Sequence, residues 1–256
     1  MKKFIIDKGL IILMFILLFI YILLSLINLL DNNSYIIFET GDVIKVNKNN
    51  INVYKNIKRI NYSNAKLYKD NKKINGYLEY TSNDDNNKIV KFYNEKMTEE
   101  KTNNSFIVVG KVDIKDYSYL IKDDISDEDI KLIREYLKDN SLPSINDLTK
   151  IYKAVVDDKT FYEVRNYYYD KTGKNNLSLI FLKQNDDIKT IYVKEGKKVL
   201  KRSSKLSNII DLNGDNEFEL ILQSAPFGTD SEYCNSVYIF DKSKSEYKPI
   251  INCEGE

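Results

Sequence analysis

The feature that most constrains this chain is an uncharged, apolar stretch near its N-terminus. No Asp, Glu, Lys or Arg lies between Gly9 and Leu30, and residues 10–30 read LIILMFILLFIYILLSLINLL. A helix of 21 residues is about 30 Å long, which matches the hydrocarbon thickness of a bilayer. The stretch therefore predicts a transmembrane helix over residues 9–30.

The sequences on either side of this stretch predict an uncleaved anchor and its orientation. A cleaved signal peptide has a shorter apolar region that ends in small residues, whereas this one is followed by Asp31-Asn32-Asn33. Three lysines within residues 1–8 precede the stretch, and no cation follows it until Lys45. The positive-inside rule then places residues 1–8 in the cytoplasm and the rest outside. We expect a single-pass signal anchor in the cell membrane with an extracellular C-terminal domain; a cleaved signal is the alternative.

The remaining composition excludes several mechanisms. The chain has no histidine and two cysteines, which removes Ser-His-Asp and Cys-His catalysis and the common zinc sites. Its first thirty residues carry a charge of +2 and the remaining 226 carry −1. A nearly neutral outer part argues against a nucleic-acid partner, which would favour a basic surface.

Alternating apolar and polar residues dominate the chain beyond residue 34 and predict strands. They indicate an α+β, β-rich ectodomain of antiparallel strands with one clear amphipathic helix. We divide it into a β-rich region over residues 31–125 and a helix plus β-rich region over residues 126–256. The predicted strands are YIIFE from Tyr35, DVIKV from Asp42, INVY from Ile51, YLEY from Tyr77, KIVKFY from Lys88, SFIVVGKVDI from Ser105, and then TKIYKAVV, FYEVRNYYY, LSLIFLK, KTIYV, KKVLKR, SNII, EFELIL, SVYIF and KPIIN.

The predicted helix begins at Ser126 and runs for about 13 residues. Ser126 with Asp129 resembles a capping box, and anions are favoured in the first turn of a helix. Ile130, Ile133 and Leu137 would form its apolar face, with Tyr136 beside them. Capping therefore explains the acidic start of this helix better than catalysis does.

The C-terminal region shows a possible internal duplication with a spacing of about 55 residues, in the range of blade-like repeats. Each unit would be an acidic loop followed by three strands. Segments 155–158, 161–164, 178–182 and 189–191 would correspond to segments 209–211, 218–221, 236–240 and 248–250. Chance similarity is the alternative, because both units are rich in Ile, Tyr, Lys and Asp.

One loop has the residue spacing of a calcium site. Oxygen-bearing side chains occupy positions 1, 3, 5 and 9 of a loop that begins at Asp211, and position 7 is free to offer its backbone carbonyl. A turn in which Asp and Asn side chains bond the backbone is the alternative. The candidate ligands are Asp211, Asn213, Asp215, Glu217 and Glu219.

This loop resembles the calcium loop of FG-GAP and VCBS repeats, the integrin-type pattern D-x-[DN]-G-D-G-x-x-[DE] before a strand. The resemblance implies that Asp211, Asn213, Asp215 and Glu219 bind Ca²⁺ through their side chains and Glu217 through its carbonyl. Asn216 departs from the pattern, which has glycine at a position of positive φ; asparagine is the next best residue there. The whole chain also resembles single-span envelope proteins of clostridial type.

Cys234 and Cys253 are predicted to form a disulfide. If Val237–Phe240 and Tyr247–Ile250 form a hairpin, opposed residue numbers add up to 487, and the two cysteines face each other. Directly opposed residues lie within disulfide range. Two buried reduced thiols are the alternative.

Two function classes follow. The first is a non-enzymatic, membrane-anchored binding or structural module, stabilised by calcium, with an envelope protein or the cell wall as its partner. The second is a carboxylate enzyme acting on a cell-envelope glycan, which would need two paired acids. Neither Glu217 with Glu219 nor Asp113 with Asp116 forms a convincing pair in the sequence. Tyr167, Tyr168 and Tyr169 are better explained as strand residues than as a carbohydrate platform.

Overall fold

The computed structural model describes residues 13–14, 16–21, 33–38, 41–47, 50–54, 64–69, 72–84, 87–101, 105–112, 114–166, 176–196, 202–226 and 234–252. These residues form three antiparallel sheets and one long helix. The prediction of a β-rich, antiparallel fold with one clear helix is confirmed.

The first sheet has eight strands and is built from residues 34–109. Its order is β3-β2-β1-β8-β4-β5-β6-β7, and each recorded pair is antiparallel. The strands are β1 (Ser34–Phe38), β2 (Val43–Asn47), β3 (Asn50–Val53), β4 (Ala65–Lys69), β5 (Lys72–Asp84), β6 (Asn87–Asn94), β7 (Glu99–Glu100) and β8 (Phe106–Val109).

The other two sheets are each built on a four-stranded meander. The second sheet has the order β10-β11-β12-β13, and the third has the order β17-β16-β15-β14-β9. The short β9 (Lys115–Asp116) joins the third sheet by pairing with β14. The remaining strands are β10 (Thr149–Val156), β11 (Lys159–Asn166), β12 (Asn176–Gln184), β13 (Asp187–Gly196), β14 (Arg202–Asp211), β15 (Glu219–Pro226), β16 (Cys234–Asp241) and β17 (Glu246–Ile251).

The two meanders place the matched sequence segments on equivalent strands. Residues 155–156 and 209–211 end the first strand of each meander, and residues 161–164 and 219–221 lie in the second. Residues 178–182 and 236–240 lie in the third strands, and residues 189–191 and 248–250 in the fourth. The matched segments thus lie at equivalent places in two four-stranded meanders, and the internal duplication itself stays a prediction.

The single long helix, α1 (Asp127–Asp139), has 13 residues and the predicted cap. The Ser126 hydroxyl accepts the Asp129 N–H at 3.2 Å, and an Asp129 carboxylate oxygen accepts the Ser126 N–H at 3.0 Å. Ile133, Tyr136 and Leu137 are buried, as the periodicity predicted.

Three apolar clusters hold these layers together. Helix α1 packs on one face of the β10–β13 sheet, around Phe181. The opposite face of that sheet packs against the third sheet, with Phe161 and Phe218 among the contacts. The third sheet in turn packs against the first through Ile210 and Val237. A fourth cluster lies on the first sheet alone.

Several local features differ from the sequence predictions, and the two-residue strands β7 and β9 are among the unpredicted ones. The predicted strand from Ser105 ends at Val109, because Gly110 takes a φ of 123° and turns the chain. Strand β4, in the middle of the first sheet, was not predicted at all. The segment KKVLKR lies almost wholly outside the described residues.

The predicted transmembrane stretch lies largely outside the described residues. Within the described ranges, no helix combines the length and apolar character needed to cross a membrane. Residues 13, 14 and 16–21 of the stretch are helical, and all eight side chains are between 46% and 69% exposed. The membrane anchor therefore stays a prediction.

Candidate functional site

The predicted calcium loop connects β14 to β15 and is organised around one buried carboxylate. Asp211 is fully buried. One of its oxygens accepts the N–H groups of Gly214 at 2.7 Å and Asp215 at 3.2 Å, and the other accepts the Asn216 N–H at 3.2 Å. Asp211 thus fixes the backbone of the loop from inside.

The loop also adopts the backbone conformation that the sequence pattern requires. Asn216, which stands where the FG-GAP pattern has glycine, has a φ of 62°, and Gly214 has a φ of 74°. Asparagine tolerates this left-handed region better than most residues. The departure from the pattern is therefore compatible with the fold of the loop.

The two outer acids of the loop contact lysines from neighbouring turns. Asp215 lies 3.4 Å from the Lys242 ammonium, and Glu217 lies 3.8 Å from that of Lys159. The Asp215 carboxylate also accepts the Glu217 N–H at 2.9 Å. These acids are already partly neutralised.

The two inner acids differ, because neither contacts a cationic side chain among the described residues. Glu219 is only 3% exposed, and its carboxylate accepts the Leu212 N–H at 2.7 Å. Burial, together with the negative charges of Asp215 and Asp211, raises the pKa of Glu219 to about 8. Buried carboxylates without a counter-charge are costly. A pKa of about 8 keeps Glu219 largely protonated at neutral pH, so the buried Asp211 carboxylate is the inner negative charge that a bound cation would neutralise.

The side chains of the loop do not, however, converge on one point. Over the described part of the chain, no group of three or more acidic or cysteine side chains is arranged to hold a metal ion. The oxygens of Asp211, Asp215 and Glu219 are directed at backbone N–H groups. The observed contacts are those of the hydrogen-bonded turn, and calcium binding stays a prediction.

The C-terminal hairpin forms as predicted, but its register shifts near the cysteines. Tyr238 pairs with Pro249, as expected, whereas Val237 pairs with Ile251 across a bulge. Opposed residue numbers therefore add up to 487 only as far as Tyr238. This register does not by itself place Cys234 opposite Cys253. Cys234 is not a free thiol, and Cys253 lies outside the described residues. The disulfide stays a prediction.

The acidic start of α1 has a structural role that extends beyond capping. The Asp129 carboxylate also accepts the Tyr162 hydroxyl and the Lys153 ammonium, both at 2.5 Å. Burial alone would raise the pKa of Asp129, but the hydrogen bonds from Lys153, Tyr162 and Ser126 outweigh it and hold this pKa at about 2. Asp129 therefore ties the helix to strands β10 and β11.

A second buried acid, Glu163 on β11, links the two meanders. Its carboxylate accepts the Leu206 N–H of β14 at 2.7 Å and is paired with Arg165. Burial raises the pKa of Glu163, and the charge of Arg165 opposes that shift. Leu206 lies at an irregularity of the β14–β15 pairing. The sequence carries no signal for this contact, because it depends on how the sheets stack.

A cleft on the first sheet is a candidate binding site that the sequence did not reveal. Its volume is about 540 Å³, a size typical of sites for small ligands. It is formed by β4, β5 and the turn between β6 and β7. Its lining residues are Asn64, Ala65, Lys66, Asn75, Gly76, Tyr77, Glu95 and Met97. Glu95 is the only acid among them, so this cleft does not itself supply the acid pair that the glycan-enzyme alternative requires.

Close contact between strands requires glycine at one position of the strand that lines this cleft. Ala65 and Gly76 are direct cross-strand partners, and Gly76 also pairs with Asn94 of β6. A Cβ atom on Gly76 would lie 2.0 Å from the Tyr93 carbonyl oxygen. The same Cβ atom would lie 2.7 Å from the Phe92 ring, so only glycine fits at this position.

The remaining predicted site residues are not brought together. Asp116 accepts the Ser118 N–H at 2.9 Å, and Asp113 and Tyr167–Tyr169 lie outside the described residues. Glu217 and Glu219 remain at the calcium-type loop.

Comparison with known proteins finds no matching family model, no matching curated protein and no matching solved structure.

Proposed function

We propose that this chain is a membrane-anchored extracytoplasmic protein that acts as a non-enzymatic binding or structural module. Residues 9–30 would cross the membrane, residues 1–8 would lie in the cytoplasm and the β-rich part would lie outside. The observation that carries this proposal is the uncharged stretch from Gly9 to Leu30.

The described part of this stretch supports the proposal. Leu13, Met14, Phe19 and their neighbours are helical and largely exposed, so their apolar surface is not covered by the sheets. A helix that is apolar on all sides is stable when buried or in lipid and is not stable in water. A bilayer provides the covering that this segment lacks.

We further propose that Ca²⁺ stabilises the loop at residues 211–219. Asp211, Asn213, Asp215 and Glu219 would supply side-chain oxygens, and Glu217 its carbonyl. The buried Asp211 carboxylate, which contacts no cationic side chain among the described residues, and the buried Glu219 carboxyl, which a cation would allow to ionise, support this. Bound calcium would neutralise that charge and stiffen the connection between β14 and β15, and no catalytic step depends on it.

Alkaline extraction of membranes from cells expressing the full chain tests the anchor. We expect the protein to stay in the membrane pellet at about pH 11, at which peripheral proteins are released. Replacing Leu17 and Leu18 with arginine should move it to the soluble fraction or cause its degradation, because each arginine costs about 3 kcal/mol in a helix centre. Isoleucine at both positions is the matched control and should stay in the pellet. Complete extraction of the native chain would overturn the proposal.

A further inference from the structure

The turn between β16 and β17 places a lysine against the loop at residues 211–219. The Lys242 ammonium donates to the Asp215 carboxylate at 3.4 Å. The other oxygen of that carboxylate accepts the Glu217 N–H at 2.9 Å. Of the acids that we propose as side-chain ligands of Ca²⁺, Asp215 is therefore the one that contacts a lysine within the described residues.

The turn that carries Lys242 is closed by a bond from the Lys244 N–H to the Asp241 carbonyl at 3.2 Å. The other lysines at this turn have partners of their own. Lys248 lies 2.8 Å from the Asp241 carboxylate, and Lys244 lies 3.8 Å from that of Glu246. Lys242 is therefore the lysine of this turn that contacts the loop.

A calcium ion and the Lys242 ammonium would compete for the same carboxylate. Ca²⁺ lies about 2.4 Å from its oxygen ligands, so an ion on the Asp215 oxygen that Lys242 contacts would lie within about 6 Å of the lysine nitrogen. Like charges at that distance repel each other. The Lys242 side chain is 62% exposed, so it can swing into water as the ion binds.

The Tyr247 hydroxyl gives an independent reason to expect a ligand at this loop. The residue is only 8% exposed, and no described group forms a hydrogen bond with its hydroxyl. Burial and the charges of Glu219 and Glu217 raise the pKa of this hydroxyl, which therefore lies close to the loop. A buried hydroxyl without a partner is costly. Rearrangement of the loop around a bound cation would offer it a carboxylate acceptor.

We propose that Lys242 is the counter-ion of the calcium-free loop and that Ca²⁺ displaces it from Asp215. The turn between β16 and β17 thus sets the calcium affinity of the loop, because the contact between Lys242 and Asp215 is lost as the ion binds. This inference rests on the proposed calcium binding and assigns the residue that opposes it.

Calorimetric titration of the full chain in detergent micelles with CaCl₂ tests the inference. We expect the native chain to bind saturably, with a Kd of about 1 mM or tighter. Lys242→Met removes the competing charge and should tighten binding about threefold. Lys244→Met is the matched control, because it removes an equal charge from the same turn but its ammonium contacts Glu246. This variant should bind calcium as the native chain does.

The melting temperature separates this role from that of a purely structural ion pair. With chelator, Lys242→Met should melt about 2 °C below the native chain. With saturating CaCl₂ the two should melt together, because Lys242 no longer contacts Asp215 and the gain in affinity offsets the lost ion pair.

Two results would overturn this inference and leave calcium binding intact. One is an equal calcium affinity in Lys242→Met and Lys244→Met, and the other is an equal loss of melting temperature in Lys242→Met with calcium and with chelator. No saturation of the native chain up to about 10 mM CaCl₂ would overturn the calcium proposal together with this inference.

Discussion

At the scale of single residues, the buried charges of this protein act as structural links. Asp129 illustrates this, because one carboxylate caps α1 and also bonds Lys153 and Tyr162 on the sheet beneath it. Capping could be predicted from Ser126 and Asp129 alone, since it depends on residues three positions apart. The bonds to Lys153 and Tyr162 could not, because the packing of the helix on the sheet sets those partners.

The first prediction concerns the loss of this carboxylate. Asp129→Ala should lower the free energy of unfolding by about 3 kcal/mol, because it leaves the buried ends of Lys153 and Tyr162 without a partner. Glu128→Ala removes an exposed acid from the same turn and should cost about 0.5 kcal/mol or less. Denaturant unfolding of the two variants measures the difference. If both substitutions lower the free energy of unfolding by the same amount, Asp129 contributes only the interaction with the helix dipole that Glu128 also makes.

The second prediction concerns pH. The pKa of Asp129 is about 2 in the folded protein, against 3.8 for an unperturbed aspartate. The folded state therefore stabilises the ionised carboxylate relative to the unfolded state. Its contribution, roughly 2 kcal/mol, is complete above about pH 4 and is lost as the pH falls through 2. The stability gap between the native chain and Asp129→Asn should shrink over that interval. A gap that is constant from pH 5 to pH 2 would contradict the low pKa.

At the scale of elements, sequence patterns identify most strands and miss those that lack a clear alternation of apolar and polar residues. Strands β1, β2 and β3 alternate clearly and were predicted. Strand β4 (Ala65–Lys69) was missed because it is short, carries Lys66 and Lys69, and buries both Leu67 and Tyr68. The cleft was missed for the same reason, since β4 forms one of its walls.

The third prediction concerns the loop between β14 and β15. Excess CaCl₂ should raise the melting temperature of the full chain by about 5 °C relative to chelator, because a ligand of the folded state stabilises it by mass action. Asp215→Asn should remove most of this rise. Asp158→Asn, which changes an acid in the equivalent turn between β10 and β11, should leave it intact. The same melting temperature with calcium and with chelator would contradict the calcium proposal.

At the scale of the whole molecule, the sequence suggested two similar units, and the stacking of the layers could not be predicted. The sequence correspondence between residues 155–191 and 209–250 matches two meanders with equivalent strands. Their packing through Phe161 and Phe218, and the position of Glu163 between them, depend on the distances between sheets. Hydrophobic periodicity gives no information about those distances.

The fourth prediction concerns Cys234 and Cys253. Because we propose that both lie outside the cytoplasm, we expect them to be oxidised to a disulfide. Alkylation of the denatured chain followed by intact-mass measurement should give two more labels with reductant than without. Two labels under both conditions would show that both cysteines are reduced thiols and would rule out the disulfide.

The central claim is that the β-rich part is outside the cell and attached through residues 9–30. Protease treatment of intact cells from which the wall has been removed tests it most directly. We predict that added protease degrades the β-rich part while a cytoplasmic marker protein stays intact, and that degradation of the chain does not require lysis. Complete protection of the chain until the cells are lysed would contradict this orientation.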